Sequence, residues 1–440
     1  VQRDEARNLF LETLLSARSK FVITYTGISI QDNSKTPCAG VVSELLDTME
    51  QSFLFPESYI YHFFHPLHPF NREYFTKSHD YFSFSQDNCK IAKALSKKRA
   101  AHHMFLKTDA MAKLQEPVLN ITIFDMICFF KNPVQWYMKE GLNIKIPDMG
   151  EAATKEQGRA REAFNLSGLD QYALGSFLVD HESRMSKESG EKAQKDSYQI
   201  LKAGGTLPFG KKGELEHENI LAIAQPVIDA AKIIASKTKL PAIAGKLNIN
   251  STIVSDNITQ ITQDGAYYLS FGKLNGSRLV AAWIKHLFFN LTAPHDYPKK
   301  TIVIGRDPQG KKELLKYCFP PLEPDELQCF SHLVQIYLKG GENVFYFACE
   351  TSWQLVQILS KNNYTLETDI LNKAMNNFNV KNSWYGNIFH AGEKDNPYIS
   401  LCLKNGDPFE SVDTLIATRF VQNAINVYKP MLENMEIIDT

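Results

Sequence analysis

Residues 255 to 276 read SDNITQITQDGAYYLSFGKLNG, two β-rich runs on either side of Asp264-Gly265. A dipeptide of this kind tolerates positive φ and closes tight turns whose twist matches that of paired strands, so it marks a β-hairpin. A helix is expected directly afterwards, from about Arg278. Strand, turn, strand and helix in immediate succession leave little freedom in how this part of the chain folds, and the remainder has to pack around it.

The flanking sequence supplies the partners. Strands are expected to cluster from residue 240 to 271. After them come a helix at 277 to 291, a strand in KTIVIGR, its hairpin partner ELLKYCF, a helix at 323 to 339 and a strand in NVFYFAC. Three more helical runs follow, and strands mixed with helices of 3.6-residue apolar spacing predict an α/β fold. Upstream, ITIFDMICFFKNPVQWYMKEGL is a long apolar helix that Pro133 should kink or divide, because proline lacks a backbone donor and clashes with the preceding turn. Residues 145 to 165 read as polar loop, SGLDQYALGSFLVDH as a helix and 191 to 203 as another; after a break at AGGTLPFGKKGE, HENILAIAQPVIDAAKIIAS resumes a helix. At the start, residues 4 to 18 form an amphipathic helix, KFVITYTG at 20 to 27 a buried strand and VVSELLDTMEQSF a second helix. From about 54 to 105 the sequence is irregular and reads as a connection between domains.

A chain of 440 residues exceeds what one hydrophobic core organises and predicts two or three domains. No apolar run is long enough to cross a bilayer, and VQRDEARNLF lacks the basic lead and apolar stretch of a signal peptide, so an intracellular protein without a membrane partner is expected. The first residue is not Met, which reads as a processed chain or a piece cut from something larger. Seven scattered cysteines, odd in number and without a C-x-x-C pair, argue against a disulfide framework, a zinc ribbon or an iron–sulfur cluster. A net charge of −1 offers no global attraction to nucleic acid, so DNA contacts have to come from local basic patches. Lys97-Lys98-Arg99, Lys211-Lys212, Lys299-Lys300 and Lys311-Lys312 are such patches, in or next to expected loops.

Other groupings invite a chemical reading and have a plainer one. GRDPQGKK at 305 to 312 has P-loop spacing, yet Lys312 stands where Ser or Thr would hold Mg²⁺, and Pro308 removes an amide that would cradle phosphate; it reads as a polar hairpin tip. His62, His65 and His68 recur three apart, but Pro66 and Pro69 interrupt the helix that would bring them to one face. Glu214, Glu216, His217 and Glu218 cluster where a helix opens, and acids there stabilise the helix dipole. Phe64, Phe70, Tyr74, Trp384 and Tyr385 would stack on a base if exposed, and otherwise fill a core or an interface.

The first stretch, DEARNLFLETLLSARSKFVITYTG, is similar to the last conserved segment of superfamily 1 DNA helicases, where a leucine-rich helix leads through Thr-Arg-Ala into a strand. The arginine of that family reaches the γ-phosphate of ATP. Leu15-Ser16-Ala17 stands in its place here, so the resemblance implies a helicase-like segment whose nucleotide contact is lost at Ser16.

GISIQDN, HPLHPFNREYF, FFKNPVQWYM, LKAGGTLPFGKKGE and AGEKDNPY, in this order, resemble the C-terminal part of the exodeoxyribonuclease V gamma-subunit (RecC) family over nearly the whole chain. The resemblance implies an α/β fold class with a degenerate superfamily 1 helicase-like remnant followed by an inactive PD-(D/E)xK, restriction-endonuclease-like nuclease domain. The expected boundaries are 1 to 105 for the helicase-like part with its connecting segment and 110 to 440 for the nuclease-like domain. It also implies partners, namely the RecB (beta) and RecD (alpha) subunits of RecBCD and double-stranded and single-stranded DNA, in the repair of double-strand breaks by homologous recombination. In that family this region helps to split the duplex and guide the strands. No cofactor is expected in this chain, Mg²⁺ and ATP being used by the partner subunits, and the expected location is cytoplasmic, at the nucleoid.

Active nucleases of that fold carry Gly-x-x-Asp on the first hairpin strand and Asp-x-Lys on the second. Laid on this hairpin, those positions fall on Asp256 to Thr259 and on Ser270 to Gly272, so the acids become Thr259 and Ser270 and the lysine becomes Gly272. Lys273 lies one place beyond and Asp256 three places before, each on the wrong face by strand alternation. Asn132-Pro133 stands where RecB-type nuclease helices often carry Cys-Pro. Magnesium demands hard anionic oxygens in near-octahedral geometry, which two neutral side chains and a glycine do not supply. The expectation is a non-catalytic DNA-binding and scaffolding subunit without a metal site. Two alternatives stand beside it. One is a metal-dependent nuclease with displaced ligands among Asp256, Asp264, Glu214 and Glu218. The other is a subunit of the related AddAB complex, which the missing cluster cysteines speak against.

Overall fold

A computed structural model of the chain describes residues 2–29, 34–55, 63–76, 82–96, 120–146, 165–183, 190–249, 251–340, 344–388, 390–403, 407–412 and 414–438. The chain divides into two compact units, Val1–Ala101 and His102–Thr440.

The described regular elements of the first unit are helices, joined by non-helical segments. Helix α1 (Gln2–Ser16) and α2 (Gly40–Ser52) are tied by Arg7, whose Nε donates to Glu44 at 3.1 Å. A 3₁₀ turn at Arg72–Phe75 and helix α3 (Gln86–Ser96) follow, in a stretch the sequence reads as irregular. The buried strand expected at 20 to 27 does not form: Val22 is 79% exposed, and only an isolated bridge, Ile28 to Lys35, follows. An extended run becomes a strand when a neighbour accepts its alternate N–H groups, and no described residue lies along this one as a ladder partner.

In the second unit β1 (Asn120–Thr122) runs into α4 (Ile123–Lys131), whose start is closed by a reciprocal capping box between Thr122 and Asp125. Asn132 leaves the helical region, and Pro133 opens α5 (Pro133–Trp136) as its first residue, where the missing N–H costs nothing. The proline therefore divides the apolar helix as its sequence predicts. Helices α6 (Gly168–Ser183), α7 (Gly190–Ala203) and α8 (Lys211–Ala235) form a satellite layer around Leu174, Leu178, Ile220, Ala224 and Val227.

Two sheets follow. Strands β2 (Ile243–Ile249) and β3 (Thr252–Ile258) pair antiparallel, and β1 joins β3 in parallel, in the order β1-β3-β2. The second sheet has the order β4-β5-β6-β7-β8, from Ile261–Thr262, Gly265–Lys273, Thr301–Arg306, Leu314–Phe319 and Glu436–Ile437. The expected hairpin is thus much shorter on its first arm, with two register pairs, Ile261 to Ala266 and Thr262 to Gly265. Residues 255 to 258, read as part of that arm, belong with the rest of β3 to the other sheet, because the chain interrupts its ladder at Thr259-Gln260 and changes partner. The turn falls on Gln263-Asp264, and Gly265, at φ 136°, occupies a conformation closed to side chains; a Cβ there would meet the Lys300 carbonyl at 2.4 Å.

Strands β5 and β6 are parallel and joined through α9 (Gly276–Thr292). Leu279, Val280, Trp283, Ile284, Leu287 and Phe288 of α9 are essentially inaccessible, which makes it the central helix of the core. Its polar His286 is satisfied by Thr301 Oγ1 at 2.8 Å, and Asn290 reaches both the His286 carbonyl and the Leu322 amide. Around α9 stand α4, α10 (Gln328–Gly340), α11 (Cys349–Ser360) and α15 (Leu415–Glu433). Between the last two come α12 (Thr368–Met375), α13 (Phe378–Tyr385) and α14 (Pro397–Cys402). The strand read in NVFYFAC is absent: residues 344 to 348 form no ladder, although Tyr346, Phe347 and Ala348 are buried. A short apolar run signals burial, and burial here comes from helices rather than from a sheet edge.

Candidate functional site

The two parallel strands β5 and β6 end side by side at Lys273 and Arg306, which are register partners. The carboxyl ends of adjacent parallel strands, with a helix starting there, form a natural crevice for a ligand. Helix α9 starts there, with the Asn275 side chain accepting the Arg278 amide at 3.2 Å as its cap. The Arg278 guanidinium then folds back over β5. Its Nε donates to Ser270 Oγ at 3.0 Å and its Nη1 to the Lys273 carbonyl at 2.9 Å. A Cβ on residue 272 would lie 2.1 Å from Nη2, so Gly272 is what lets the arginine lie down.

Two aromatic rings carry the two guanidiniums. Arg278 lies 5.2 Å from the Tyr172 ring of α6, Arg306 lies 4.9 Å from Phe271, and those rings are 6.3 Å apart. The Arg278 guanidinium holds the Tyr172 phenol below its ordinary value, and burial lowers the pKa of Arg306. Among the described residues neither arginine nor the exposed Lys273 forms an ion pair with a carboxylate. The nearest acids are occupied. Glu350 feels Arg278 electrostatically, but its oxygens accept the amides of Gly276 and Ser277 at 3.0 and 2.9 Å. Asp307, next to Arg306, accepts the amides of Gln309, Lys311 and Lys312.

That use of Asp307 settles the GRDPQGKK motif. It forms the β6–β7 loop, and amides a P-loop would aim at phosphate are turned onto the protein's own carboxylate. A similar substitution of carboxylate for ligand recurs at the helix starts. Glu350 closes the N-terminus of α9, and Glu393 in turn closes that of α11, accepting the Glu350 and Thr351 amides at 3.0 and 2.7 Å. Desolvation pushes the Glu393 carboxyl up to about 7 and raises Glu350 as well. Beside Glu393 lies a cleft of about 410 Å³ lined by Lys131, Asn132, Phe347, Ala348 and Asn396 among others.

The sequence-derived candidates fall in several places. Ser270 and Gly272 stand at the arginine, whereas Thr259 is exposed outside both strands. Strict alternation fails near Lys273, because the register of β5 against β6 shifts between Leu269 and Lys273. Asp256 pairs across the ladder with Gly245, which looks onto Phe288 of α9. The acids of the displaced-ligand alternative are not gathered: Asp264 pairs with Lys237, Glu214 with Lys211 at 2.8 Å, and Asp256 accepts the Asn257 amide. Among the described residues no group of three or more His, Cys, Asp or Glu could hold a metal ion.

Lys97, Lys98, Arg99 and His62 lie outside the described residues. Lys211 and Lys212 occupy the first turn of α8 rather than a loop, and Lys212 donates to Asn165. Lys299 and Lys300 are half-buried ahead of β6. His217 is buried against Ser197 and held below its ordinary value by burial, while Glu216 and Glu218 flank it on α8. His65 stacks on Tyr74, and His68 on Phe70. Phe64 is exposed, and Tyr385 is 41% exposed. Trp384 is no surface ring: it is 1% exposed, with Nε1 donating to Asp407 at 2.9 Å. Ser16 ends α1, donating to the Thr13 carbonyl. Sequence reasoning passed over Arg278, Arg306 and Tyr172. The signal available was positional: a β-α-β unit with parallel strands would have directed attention to the strand ends.

A family model described as the RecC C-terminal domain matches residues 119–359. The protein called RecBCD enzyme subunit RecC in Escherichia coli K12 is 25% identical over 413 residues, covering 90% of this chain and 34% of that protein. Its namesake in Haemophilus influenzae is 29% identical over 221 residues, covering 50% of this chain and 18% of the relative. The namesake from Buchnera aphidicola of Acyrthosiphon pisum is 22% identical, covering 89% and 35% respectively. Where the match is nearly complete on this side, the chain spans about a third of the relative's length.

Proposed function

The chain belongs to the RecC C-terminal domain family, and from that premise we propose that it acts as the C-terminal part of a non-catalytic, DNA-handling and scaffolding subunit of the RecBCD exodeoxyribonuclease V complex. Its work is the repair of double-strand breaks by homologous recombination, in the cytoplasm at the nucleoid. Residues 1 to 105 are read as the tail of a degenerate helicase-like domain with a connecting segment, and 110 to 440 as a nuclease-like domain without catalytic residues. RecB and RecD are its protein partners, and Mg²⁺ and ATP belong to them. Duplex splitting and strand guidance require surfaces that touch phosphate without cutting it.

The observation that carries this reading is Arg278. A hydrolytic site of the nuclease type concentrates carboxylates around Mg²⁺. At the second-strand positions here, Ser270 holds the Arg278 guanidinium, which lies over the side-chain-free Gly272. A cation in that place repels Mg²⁺ and attracts a phosphate oxygen. The acids that do stand close by cap helices and have their oxygens engaged. The name of the relatives, RecBCD enzyme subunit RecC, supports assembly with other subunits.

The test is co-purification of the chain with beta and alpha subunits, followed by incubation of the chain alone with linear DNA and Mg²⁺ or Mn²⁺. Stable association and no cleavage are expected. Reproducible cleavage abolished by Asp256→Ala would replace this reading with the nuclease alternative.

A further inference from the structure

We propose that the C-terminal ends of β5 and β6 form an oxyanion site, built by Lys273, Arg278 and Arg306, that takes a phosphodiester of a nucleic-acid strand. The proposal rests on the DNA-handling reading above and gives it a location.

The geometry argues in three steps. Arg278 and Arg306 are fixed before any ligand arrives. One is held by Ser270, the Lys273 carbonyl and the Tyr172 ring, the other by the Phe271 ring. Arginines immobilised on aromatic faces lose little side-chain freedom on binding, and their planar donors suit a phosphate better than a lysine point charge. Second, no described carboxylate touches the three cations. The three cations form no ion pair among the described residues, and the oxygens of Glu350 and Asp307 are committed to backbone amides. Third, the place is open on one side: Lys273 is exposed and Tyr172 is 39% exposed, while Arg278 and Arg306 are half-buried. An open rim shared by two strands and a helix start admits a phosphate that belongs to a chain. A closed cage would suit a free anion better.

Some cations elsewhere do have a carboxylate in contact. Lys211 finds Glu214, Lys237 finds Asp264, and Lys394 finds Asp407. At the rim of β5 and β6 none does among the described residues, and Gly272 leaves the space in which the Arg278 guanidinium lies.

The experiment is fluorescence anisotropy with the full chain and a labelled oligothymidylate of about 16 nucleotides, titrated at salt concentrations from about 50 to 200 mM. Lys273→Gln and Arg306→Met are each expected to weaken binding by roughly three- to tenfold at low salt and to reduce the logarithmic salt slope by about 0.7 per lost contact. Lys273 is exposed, so its variant tests the site even if Arg306→Met lowers stability. If the unmodified chain binds and both variants match it in affinity and slope, the site is overturned while the DNA-handling reading stands. If the unmodified chain binds no oligonucleotide, both fail. A parallel ³¹P titration with inorganic phosphate separates the sources. Phosphate broadening lost in Arg306→Met, together with unchanged oligonucleotide binding, would assign the site to free phosphate and overturn the nucleic-acid proposal.

Discussion

Two charged regions meet at the start of α9 and treat their charge in opposite ways. On one side Glu350 and Glu393 form a relay of helix caps, each carboxylate accepting two backbone amides. On the other side Lys273, Arg278 and Arg306 share no carboxylate partner among the described residues. The acids are engaged by backbone amides, whereas the two arginines are held by a hydroxyl, a carbonyl and aromatic rings with no described carboxylate in contact. Residue type alone does not distinguish these two uses of charge; the difference lies in which groups each charge touches.

The contrast can be broken from the acidic side first. Glu350→Ala leaves the Gly276 and Ser277 amides without acceptors, and a loss of about 2–4 kcal/mol is expected in a denaturant titration. A loss under about 1 kcal/mol would mean that water replaces the carboxylate and that the relay is not structural.

The next effect is a pH dependence. The ordinary value for a glutamate is 4.5, and the folded Glu393 keeps its proton up to about 7. Between those values the folded state binds more protons than the unfolded one, so stability falls as pH rises through this window. The decline has an upper bound of about 3 kcal/mol. Glu393→Gln should flatten it. His286 acts with the opposite sign. Burial holds it neutral down to about 3, so its contribution is lost as pH falls below 6.5. The informative quantity is therefore the difference between Glu393→Gln and the parent chain at each pH, and a difference that stays constant from pH 5 to 8 sinks the assignment.

A smaller effect is expected on the basic side. Gly272→Ala should displace the Arg278 guanidinium from Ser270, costing about 1 kcal/mol, because the clashing atoms are the far end of a flexible chain. Chemical-shift changes at Tyr172 would report the displacement, and an unmoved Tyr172 would show that the strand shifts instead. The smallest stability effect belongs to Lys273→Gln, within about 0.5 kcal/mol, as for exposed groups without a partner. A larger loss would make Lys273 a structural residue and weaken the contrast.

Much of the secondary structure was legible. The 3.6-residue spacing of α4 and α9, the division at Pro133 and the β6–β7 hairpin were all read from local pattern. The misreadings share a cause. KFVITYTG and NVFYFAC have strand composition, yet a strand exists only where another strand pairs with it, and neither finds one among the described residues. Likewise 255 to 258 was placed on the wrong hairpin, since the change of sheet at Thr259-Gln260 leaves no mark on composition.

By itself the sequence determined that the hairpin leading into α9 carries Ser270 and Gly272, neither of them an acid, because presence or absence of a carboxylate is a matter of covalent structure. Tertiary structure decided what stands there instead. Arg278 reaches Gly272 only because α9 starts where it does, and Arg306 joins it only because β6 runs parallel to β5. Such meetings between residues distant along the chain are fixed by strand order and register, which propensity and spacing do not encode.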